Sequence, residues 1–165
     1  MPENPNDFVI RPAGPGDVAL ILAFVRELAE YERLSHLVTA TEETLLDSLF
    51  GPHAGAEVLL AYARDAPIGF AVFFYNFSTF LGKRGLWLED IYVKPEFRGR
   101  GYGRGLLMHV ARVAHQRGCG RFEWAVLDWN APAVQFYKSL GAIALDDWTI
   151  FRVAGEALAR LAATG

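Results

Sequence analysis

One stretch of the chain decides its fold: Val93-Lys94-Pro95-Glu96-Phe97-Arg98-Gly99-Arg100-Gly101-Tyr102-Gly103-Arg104-Gly105. It lies between a strand-like run that ends at Val93 and a helical pattern that begins near Gly103. Glycines allow the backbone to turn tightly and to direct several N–H groups to one point, and the start of a helix adds a partial positive charge. Four cationic side chains and one acidic side chain give the stretch a net charge of +3, within a chain whose formal net charge is -3. The stretch therefore predicts a site for phosphate or pyrophosphate between a strand and a helix.

Other phosphate-binding loops fit this stretch poorly. A dinucleotide-binding fingerprint needs glycines at its first, third and sixth positions, but the sixth residue is Arg104 when counted from Gly99 and Leu106 when counted from Gly101. A P-loop needs Gly-Lys-Ser/Thr, which is absent. The alternative is a glycine-rich connector with solvated arginines. The alternating glycines, the charge and the position between strand and helix favour the anion site.

Outward from this stretch, hydrophobic periodicity predicts a mixture of strands and helices. The strands are expected at Phe8–Pro12, Glu57–Ala63, Ile68–Phe77, Leu86–Val93, Phe122–Leu127 and Trp148–Val153. The helices are expected from Pro15 through Leu28 and at Thr41–Phe50, Gly103–Gly118, Ala131–Leu140 and Glu156–Ala162. Thr41 is expected to cap its helix alone, because Thr44 stands where a capping box has Glu. The mixture predicts an α/β or α+β domain around one central sheet.

The composition indicates an ordinary globular protein. Apolar residues make up 52% and charged residues 21% of the 165 residues, and no stretch reaches the roughly 20 apolar residues that cross a bilayer. The small negative charge gives no indication of nucleic acid or a membrane as partner. Residues 1–7 are polar, lack the apolar core of a signal peptide and are expected to form a flexible tail. A single cysteine, Cys119, permits no intrachain disulfide, which suits a reducing cytoplasm.

A second motif lies downstream: Asn130-Ala131-Pro132-Ala133-Val134-Gln135-Phe136-Tyr137-Lys138-Ser139-Leu140-Gly141-Ala142. Together with Arg98-x-x-Gly101-x-Gly103, which matches the signature Arg/Gln-x-x-Gly-x-Gly/Ala, it resembles the GNAT superfamily of N-acetyltransferases, whose loop cradles the pyrophosphate of coenzyme A. Residues 8–13 (Phe-Val-Ile-Arg-Pro-Ala), 26–32 (Arg-Glu-Leu-Ala-Glu-Tyr-Glu) and 88–90 (Leu-Glu-Asp) resemble the diamine (spermidine/spermine) and thialysine acetyltransferase branch. The resemblance covers nearly the whole chain.

The resemblance implies a fold, a cofactor and an assembly. The fold is a single GNAT-like α/β (α+β) domain over residues 8–165, with a central mixed, mostly antiparallel twisted sheet of about six to seven strands flanked by helices. The cofactor is acetyl-CoA, which leaves as coenzyme A, and the assembly is a homodimer. The residues implied to bind coenzyme A are Ile91, Tyr92, Val93, Arg98, Gly99, Arg100, Gly101, Tyr102, Gly103, Arg104, Asn130, Pro132, Ala133 and Tyr137.

Tyr137 is the candidate general acid. Transfer of an acetyl group from a thioester needs a proton for the departing thiolate, and a phenol of pKa about 10 can supply it to a thiolate whose acid has a pKa of about 8.5. The resemblance places a tyrosine of this motif beside the sulfur of coenzyme A. The alternative is that Phe136 and Tyr137 only pack a helix on the sheet. Asn130 is expected to cap that helix, and the resemblance adds a contact with coenzyme A.

Glu89 is the candidate base or amine-binding carboxylate. It follows mostly apolar strand positions, and an ammonium of pKa about 10 must lose a proton before it attacks. The resemblance places the glutamate of Leu-Glu-Asp at the substrate amine; pairing of Glu89 or Asp90 with a nearby cation is the alternative. Because neighbours on a strand point to opposite faces, only one of the two is expected to face the site. Tyr31 and Glu32 match the branch's amine-binding pair, with an exposed helix end as the alternative.

Direct attack in a ternary complex is favoured over an acyl-cysteine mechanism. Cys119 follows a helix C-terminus, where the helix dipole disfavours a thiolate, and His115, one turn away, does not clearly supply a base. The four histidines show no metal-ligand spacing, so no metal is expected.

Residues 76–84, Asn-Phe-Ser-Thr-Phe-Leu-Gly-Lys-Arg, bear on the acceptor. The polyamine enzymes carry an aspartate and a tryptophan there, whereas this stretch is aromatic and basic. Unless they are solvated loop charges, Lys83 and Arg84 disfavour a polyamine and favour the carboxylate of an amino acid. The expected acceptor is a primary amine of a small molecule, such as a lysine analogue, or a di- or polyamine. Two other functions stay open: a protein lysine or N-terminal acetyltransferase, and a non-catalytic acyl-CoA-binding sensor, which needs neither Tyr137 nor Glu89.

Overall fold

Five strands form one sheet in the computed structural model, which describes residues 7–164. Their order in the sheet follows the chain: β1 (Phe8–Pro12), β2 (Glu57–Ala63), β3 (Ala66–Ser78), β4 (Lys83–Val93) and β5 (Phe122–Trp124). Strands β1 to β4 form three antiparallel pairs along the chain, and β5 runs parallel to β4. The helices are α1 (Val18–Tyr31), α2 (Glu42–Phe50), α3 (Tyr102–Gln116), α4 (Ala131–Ser139) and α5 (Gly155–Ala163). Helix α3 provides the crossover that a parallel pair of strands requires.

The chain divides into two compact units. The first ends at Ala125 and contains the whole sheet with α1, α2 and α3; the second begins at Val126 and contains α4 and α5. Of the predicted tail, residues 1–6 lie outside the described residues, and Asp7 forms an ion pair of 3.1 Å with Arg64. Within residues 7–164, no helix is both long and apolar enough to span a membrane.

Helix α1 covers one face of the sheet. Its buried residues Ile21, Phe24 and Leu28 recur at the helical period. They pack against the buried strand residues Val58, Leu60, Phe70 and Tyr92. The rings of Phe24 and Phe70 stack with their centroids 5.5 Å apart. The apolar stripe that predicts the helix is therefore also what holds it to the sheet.

Helix α3 covers the opposite face. Its residues Leu106 and Val110 are fully buried, and Arg117 at its end lies over the ring of Phe73. At Gly105 the helix passes so close to β1 that an added Cβ would lie 2.7 Å from the ring of Phe8. Because both faces are covered, β2 and the first part of β3 are apolar at successive positions, which is typical of a sheet buried on both sides.

A two-residue turn joins β2 to β3. Arg64 and Asp65 have φ angles of 49° and 66°, the left-handed values that a tight hairpin turn of matching twist requires. Ala66 and Pro67 already belong to β3, so this strand begins two residues before its predicted start at Ile68. Pro67 is tolerated there because it lies beside a bulge in the pairing of the two strands.

Two predictions about strands are wrong. Residues 148–153 form no strand, and β5 ends at Trp124, so the described residues contain five strands and not six to seven. An apolar run becomes a strand only where another strand offers hydrogen-bonding partners along its length. The described part of the second unit contains no strand, so residues 148–153 have none to pair with in their own unit.

Helix α2 begins with a reciprocal cap. The Thr41 hydroxyl accepts the N–H of Thr44 at 3.2 Å, and the Thr44 hydroxyl accepts the N–H of Thr41 at 3.0 Å. Thr44 therefore takes the part that Glu has in a capping box, and the prediction that Thr41 caps alone is wrong.

Candidate active site

The glycine-rich loop leaves the end of β4 and leads directly into α3. A 3-10 turn at Pro95–Phe97 follows the strand, and Gly99 and Gly101 then adopt φ angles of 76° and 83°. Residues with a side chain rarely adopt such values, which explains the need for glycine at these two positions. Gly101 is the N-cap of α3, and no described side chain caps the first N–H groups of the helix. The positive end of α3 is therefore open to an anion.

Arg98 points back to the protein and holds the loop against two other elements. Its Nε donates to the carbonyl oxygen of Val93 at 2.8 Å. Its guanidinium lies 4.5 Å from the ring centroid of Tyr31 and 5.5 Å from that of Tyr92. The loop thus places Arg98 between the end of β4 and the end of α1, beside one of the residues predicted to bind the amine.

The other loop side chains differ in exposure. Tyr102 is buried, with its ring 5.0 Å from that of Phe8, so only its backbone can reach a ligand. Arg100 and Arg104 are exposed and supply positive charge at the start of α3. The loop offers backbone N–H groups from its glycines and two solvent-facing guanidinium groups.

The backbone of β4 beside the loop is open on one side. Strand β5 pairs with β4 only over residues 86–88, and no described strand pairs with that side of residues 89–93. Backbone groups of Ile91, Tyr92 or Val93 that point to that side can hydrogen-bond a ligand. An open strand edge suits the amide groups of pantetheine, and a helix start rich in N–H groups suits a diphosphate. The residues present therefore fit coenzyme A.

A β-bulge interrupts β4 at the predicted acidic pair. Leu88 lies opposite Phe73 and Asp90 lies opposite Val72, so Glu89 is an extra residue in β4. In a regular strand, positions 88 and 90 share a face. Here Leu88 faces α3 with Phe73, whereas Asp90 faces α1 with Val72, which packs against the α1 core.

The bulge brings Glu89 to the same face as Asp90. Trp87 lies opposite Phe74 on the α1 face, and its Nε1–H donates to Glu89 Oε2 at 3.0 Å. Both carboxyl groups therefore lie on the α1 face, and the prediction that only one of them faces the site is wrong. The alternation rule fails because it assumes a strand without an inserted residue.

A third carboxyl group, that of Glu32 just after α1, is close enough to influence the pKa of Asp90. Burial, with smaller contributions from the charges of Glu89 and Glu32, raises the pKa of Asp90 to about 6. Burial also raises the pKa of Glu32. The repulsion among three carboxylates is relieved when a cation binds between them. This part of the α1 face is therefore suited to a protonated amine.

Trp87 is a site residue that sequence reasoning missed. It is half-buried and hydrogen-bonds the Glu89 carboxylate directly. The available signal was its spacing of two residues from Glu89, which places both side chains on one face of a strand.

Helix α4, in the second unit, carries the remaining predicted residues. Asn130 accepts the N–H of Ala133 through Oδ1 at 3.4 Å, which confirms the predicted cap, and Pro132 lies in the first turn. Tyr137 is half-buried, and its ring centroid lies 5.4 Å from that of Phe136. The loop and the carboxyl groups belong to the first unit.

Other reactive side chains are few. Among the described residues, no group of three or more His, Cys, Asp or Glu side chains could hold a metal ion. Cys119 lies just beyond the C-terminus of α3, and its N–H donates to the carbonyl oxygen of Ala114 at 3.0 Å. That position is at the negative end of the helix dipole, which disfavours a thiolate.

Comparison with known proteins agrees with this geometry. The profile described as the acetyltransferase (GNAT) family matches residues 22–142. The thialysine N-epsilon-acetyltransferase of Sus scrofa is 44% identical, with 93% of this chain and 96% of the relative covered. The L-ornithine N5-acetyltransferase of Arabidopsis thaliana is 33% identical, with 90% of this chain and 85% of the relative covered. The structure of an integron cassette protein from the mobile metagenome of V. cholerae is 28% identical, has a TM-score of 0.80 and covers 96% of this chain and 99% of its own.

The fold, with a glycine loop after β4 and an open β4 edge, is that of an acyl-CoA-dependent transferase. The chain belongs to the acetyltransferase (GNAT) family and is an N-acetyltransferase. The predicted fold class, a mixed and mostly antiparallel sheet flanked by helices, is confirmed.

Proposed function

We propose that this N-acetyltransferase uses acetyl-CoA to acetylate the primary amine of a small cationic molecule. The acceptor is an amino-acid amine such as a lysine analogue, or a di- or polyamine. The proposal rests on the bulge in β4. The bulge places the side chains of Glu89 and Asp90 on the same face of the sheet, near Glu32. The related enzymes that act on thialysine and L-ornithine support it, because both substrates carry an amine that is protonated at neutral pH.

The donor binds at the junction of β4 and α3. The N–H groups of residues 99–104 and the charges of Arg100 and Arg104 hold the diphosphate. The open edge of Ile91 to Val93 holds pantetheine and polarises the acetyl carbonyl. Asn130, Pro132 and Ala133 at the start of α4 add further contacts, as the family resemblance implies. Acetyl-CoA supplies the acetyl group as an activated thioester.

Glu89 removes the proton from the acceptor, either directly or through water. An ammonium is not a nucleophile, so a carboxylate close to it is needed before attack. Trp87 orients that carboxylate by its hydrogen bond, and Asp90, Glu32 and Tyr31 bind the cation. Asp90, with a pKa of about 6, is ionised at neutral pH and available for this.

Tyr137 supplies a proton to the departing thiolate, and the amine attacks the acetyl group directly in a ternary complex. A phenol is a weak enough acid to remain protonated until the thiolate forms. A Tyr137→Phe variant is expected to lose most of its kcat and the alkaline limb of its pH profile. Full turnover with an unchanged pH profile would contradict the assignment.

The choice between an amino acid and a polyamine depends on the turn end of the β3–β4 hairpin, where Lys83 and Arg84 begin β4. Arg84 lies opposite Phe77 and over the ring of Tyr75 at 4.8 Å, on the face that Phe73 shares with α3. Arg84 therefore does not share a face with the carboxyl groups, whereas Lys83, opposite Ser78, lies on their face, so the argument for an amino-acid carboxylate now rests on Lys83 and not on Arg84. Three carboxyl groups leave room for a di- or polyamine alongside a lysine analogue.

We also infer that the protein is a homodimer and that residues 8–165 act as one domain. We infer a reducing cytoplasm as its compartment. The end of the β3–β4 hairpin supports the dimer, because Phe77, Phe80 and Leu81 are exposed there and Phe80 is fully so. Large apolar side chains grouped on a surface are typical of an interface between subunits. Analytical ultracentrifugation at micromolar concentration tests this, and a purely monomeric species would contradict it.

The deciding experiment is thiol release from acetyl-CoA over a panel of spermidine, lysine, thialysine, small diamines and a lysine peptide. We expect release with one class of small cationic amine and none with a neutral amine of the same size. Release with the peptide alone would favour a protein acetyltransferase. Tight acetyl-CoA binding without release for any amine would favour the non-catalytic sensor.

A further inference from the structure

One face of α1 contacts the end of β4 and the glycine loop at three successive levels. Phe24, Glu27 and Tyr31 are spaced by three and four residues, which aligns them along the helix. Phe24 lies 6.2 Å from the ring of Tyr92, and Tyr31 lies against Arg98. Glu27 is between them and is the acidic member of the row.

The carboxylate of Glu27 bridges two residues of the β4 end. Its Oε2 accepts the hydroxyl proton of Tyr92 at 3.1 Å, and its Oε1 lies 3.9 Å from Lys94 Nζ. Burial, together with this hydrogen bond, raises the pKa of Tyr92 to about 12, so its hydroxyl remains a donor at every working pH. Tyr92 is buried, and Lys94 and Glu27 are partly buried, which limits competition from water.

The residue between these two contacts is Val93, where the strand ends and the loop departs. The Val93 carbonyl oxygen accepts the Nε–H of Arg98, and the N–H of Lys94 donates to the carbonyl oxygen of Ile68. These two hydrogen bonds fix the direction in which the loop leaves β4. Glu27 contacts this junction from α1, whose C-terminal end is followed by Glu32 and carries Tyr31.

We propose that Glu27 is a positioning residue for acetyl-CoA: by holding Tyr92 and Lys94 on either side of Val93, it sets the backbone that receives pantetheine and the start of the diphosphate loop. This inference rests on the proposed binding of acetyl-CoA at the loop. Glu27 acts through its neighbours and contacts neither substrate. Its loss is expected to weaken acetyl-CoA binding more than amine binding.

The first test compares Glu27→Gln and Glu27→Leu with Glu30→Gln, a matched change at an exposed position of the same helix. The amide of Gln still accepts from Tyr92 but does not attract Lys94. We expect the acetyl-CoA KM to rise about tenfold in Glu27→Leu and less in Glu27→Gln, with kcat and the amine KM changing by less than about threefold. Glu30→Gln should match the wild type.

A purely structural role for Glu27 gives a different pattern. It predicts a lower melting temperature for both Glu27 variants, with the acetyl-CoA KM of the folded enzyme unchanged. Equal rises in both KM values would also overturn the proposal, because they indicate general disorder of the site.

A double-mutant cycle keeps the proposal testable if Glu27→Leu folds poorly. Tyr92→Phe removes only the hydroxyl, so its effect on the acetyl-CoA KM should be non-additive with that of Glu27→Gln and additive with that of Glu30→Gln. Additive effects of Tyr92→Phe and Glu27→Gln would refute the coupling.

Gly101→Val separates a failure of this inference from a failure of the proposed function. Gly101 has a left-handed φ, so valine there distorts the loop itself. If Gly101→Val loses acetyl-CoA binding and the Glu27 variants keep it, only the role of Glu27 is wrong. If Gly101→Val binds acetyl-CoA as the wild type does, the loop is not the donor site and both proposals fall.

Discussion

At the scale of single residues, Asp90 shows how the site is held in a state that costs stability. Its carboxyl group is buried beside two others, and its folded pKa of about 6 lies above the ordinary value of 3.8. A raised carboxyl pKa means that Asp90 stabilises the fold below its unfolded pKa and that this contribution is lost as the pH rises through about 6. Near neutral pH the charge is therefore retained at the expense of stability, as is common in sites that bind a cation.

Replacing Asp90 with Asn should separate stability from activity. The free energy of unfolding near pH 8 is expected to rise by about 2 kcal/mol, because the amide has no charge to desolvate, and the gain should vanish below about pH 4. The amine KM should rise at the same time. Chemical denaturation across this pH range, with steady-state kinetics at neutral pH, checks both. A variant that is less stable near pH 8 would show that the Asp90 charge is not penalised.

Trp87 is expected to act through Glu89. A Trp87→Phe variant keeps an aromatic ring but lacks the N–H that holds the carboxylate, so kcat/KM for the amine should fall about tenfold while the dissociation constant of acetyl-CoA stays the same. Trp148→Phe, at an exposed position, is the control. A loss of acetyl-CoA affinity in Trp87→Phe would point to a different role.

At the scale of elements, β1 is tied to the start of α1 by one ion pair. Arg11 donates to both carboxylate oxygens of Asp17 at 2.8 Å and to the Tyr62 hydroxyl at 2.8 Å, and Asp17 also accepts the N–H of Gly14. The hydrogen bond from Arg11 is the main reason that the pKa of Asp17 is lowered to about 2. The pair joins the first strand to the helix that covers the α1 face.

The stability that Asp17 provides should be lost in acid. Because its folded pKa is depressed, its contribution is present above about pH 4 and disappears as the pH falls through about 2. Asp17→Asn is expected to lower the free energy of unfolding at neutral pH by about 2 kcal/mol and to flatten its acid dependence. Arg11→Met should also lower the free energy of unfolding, and the double variant should lose little more than Asp17→Asn alone. Full additivity would mean that the two residues do not act together.

Strand β3 needs glycine where it passes the end of β4. Gly69 lies opposite Val93, and an added Cβ would collide with the carbonyl oxygen of Tyr92. Gly69→Ala should therefore force the strands apart, cost about 2 kcal/mol or more, and raise the acetyl-CoA KM. Gly55→Ala is the matched control, because nothing lies within 4 Å of its added Cβ. Thermal unfolding and kinetics of the two variants decide whether this close approach matters.

The elements were predictable from sequence where a local rule sufficed. Strands β1 and β2 lie where alternation and turn residues place them, and the loop and start of α3 follow from glycine spacing and charge. The bulge at Glu89 was not predictable, because it is a property of the pairing between β3 and β4 and not of either strand alone. The prediction of a strand at residues 148–153 was wrong for the same reason, because apolar alternation does not say whether a partner strand is present.

At the scale of the whole molecule, positive and negative side chains are concentrated in different regions, which the net charge does not reveal. The net charge is -3, yet the loop carries +3 and the α1 face of β4 gathers three carboxyl groups. The two proposed substrates have opposite charges, so we expect each to be attracted to the region of opposite charge.

This distribution predicts the effect of salt. Raising the ionic strength shortens the screening length to about 3 Å at molar salt, so the KM values of acetyl-CoA and of a cationic amine should both rise. A neutral thioester donor or a neutral amine analogue should be much less affected. Salt-independent KM values for both substrates would mean that long-range attraction does not contribute to binding.

The bulge in β4 has a consequence for how such an enzyme can diverge. Side chains alternate between the two faces of the sheet on either side of Glu89, and the inserted residue shifts the alternation by one position. Deletion of Glu89 would leave Leu88 and Asp90 adjacent and still opposite Phe73 and Val72, so the strand would become regular and no other side chain would change face. A one-residue deletion at the bulge would therefore remove a single carboxyl group, whereas the same deletion in a regular part of β4 would turn the residues beyond it to the other face.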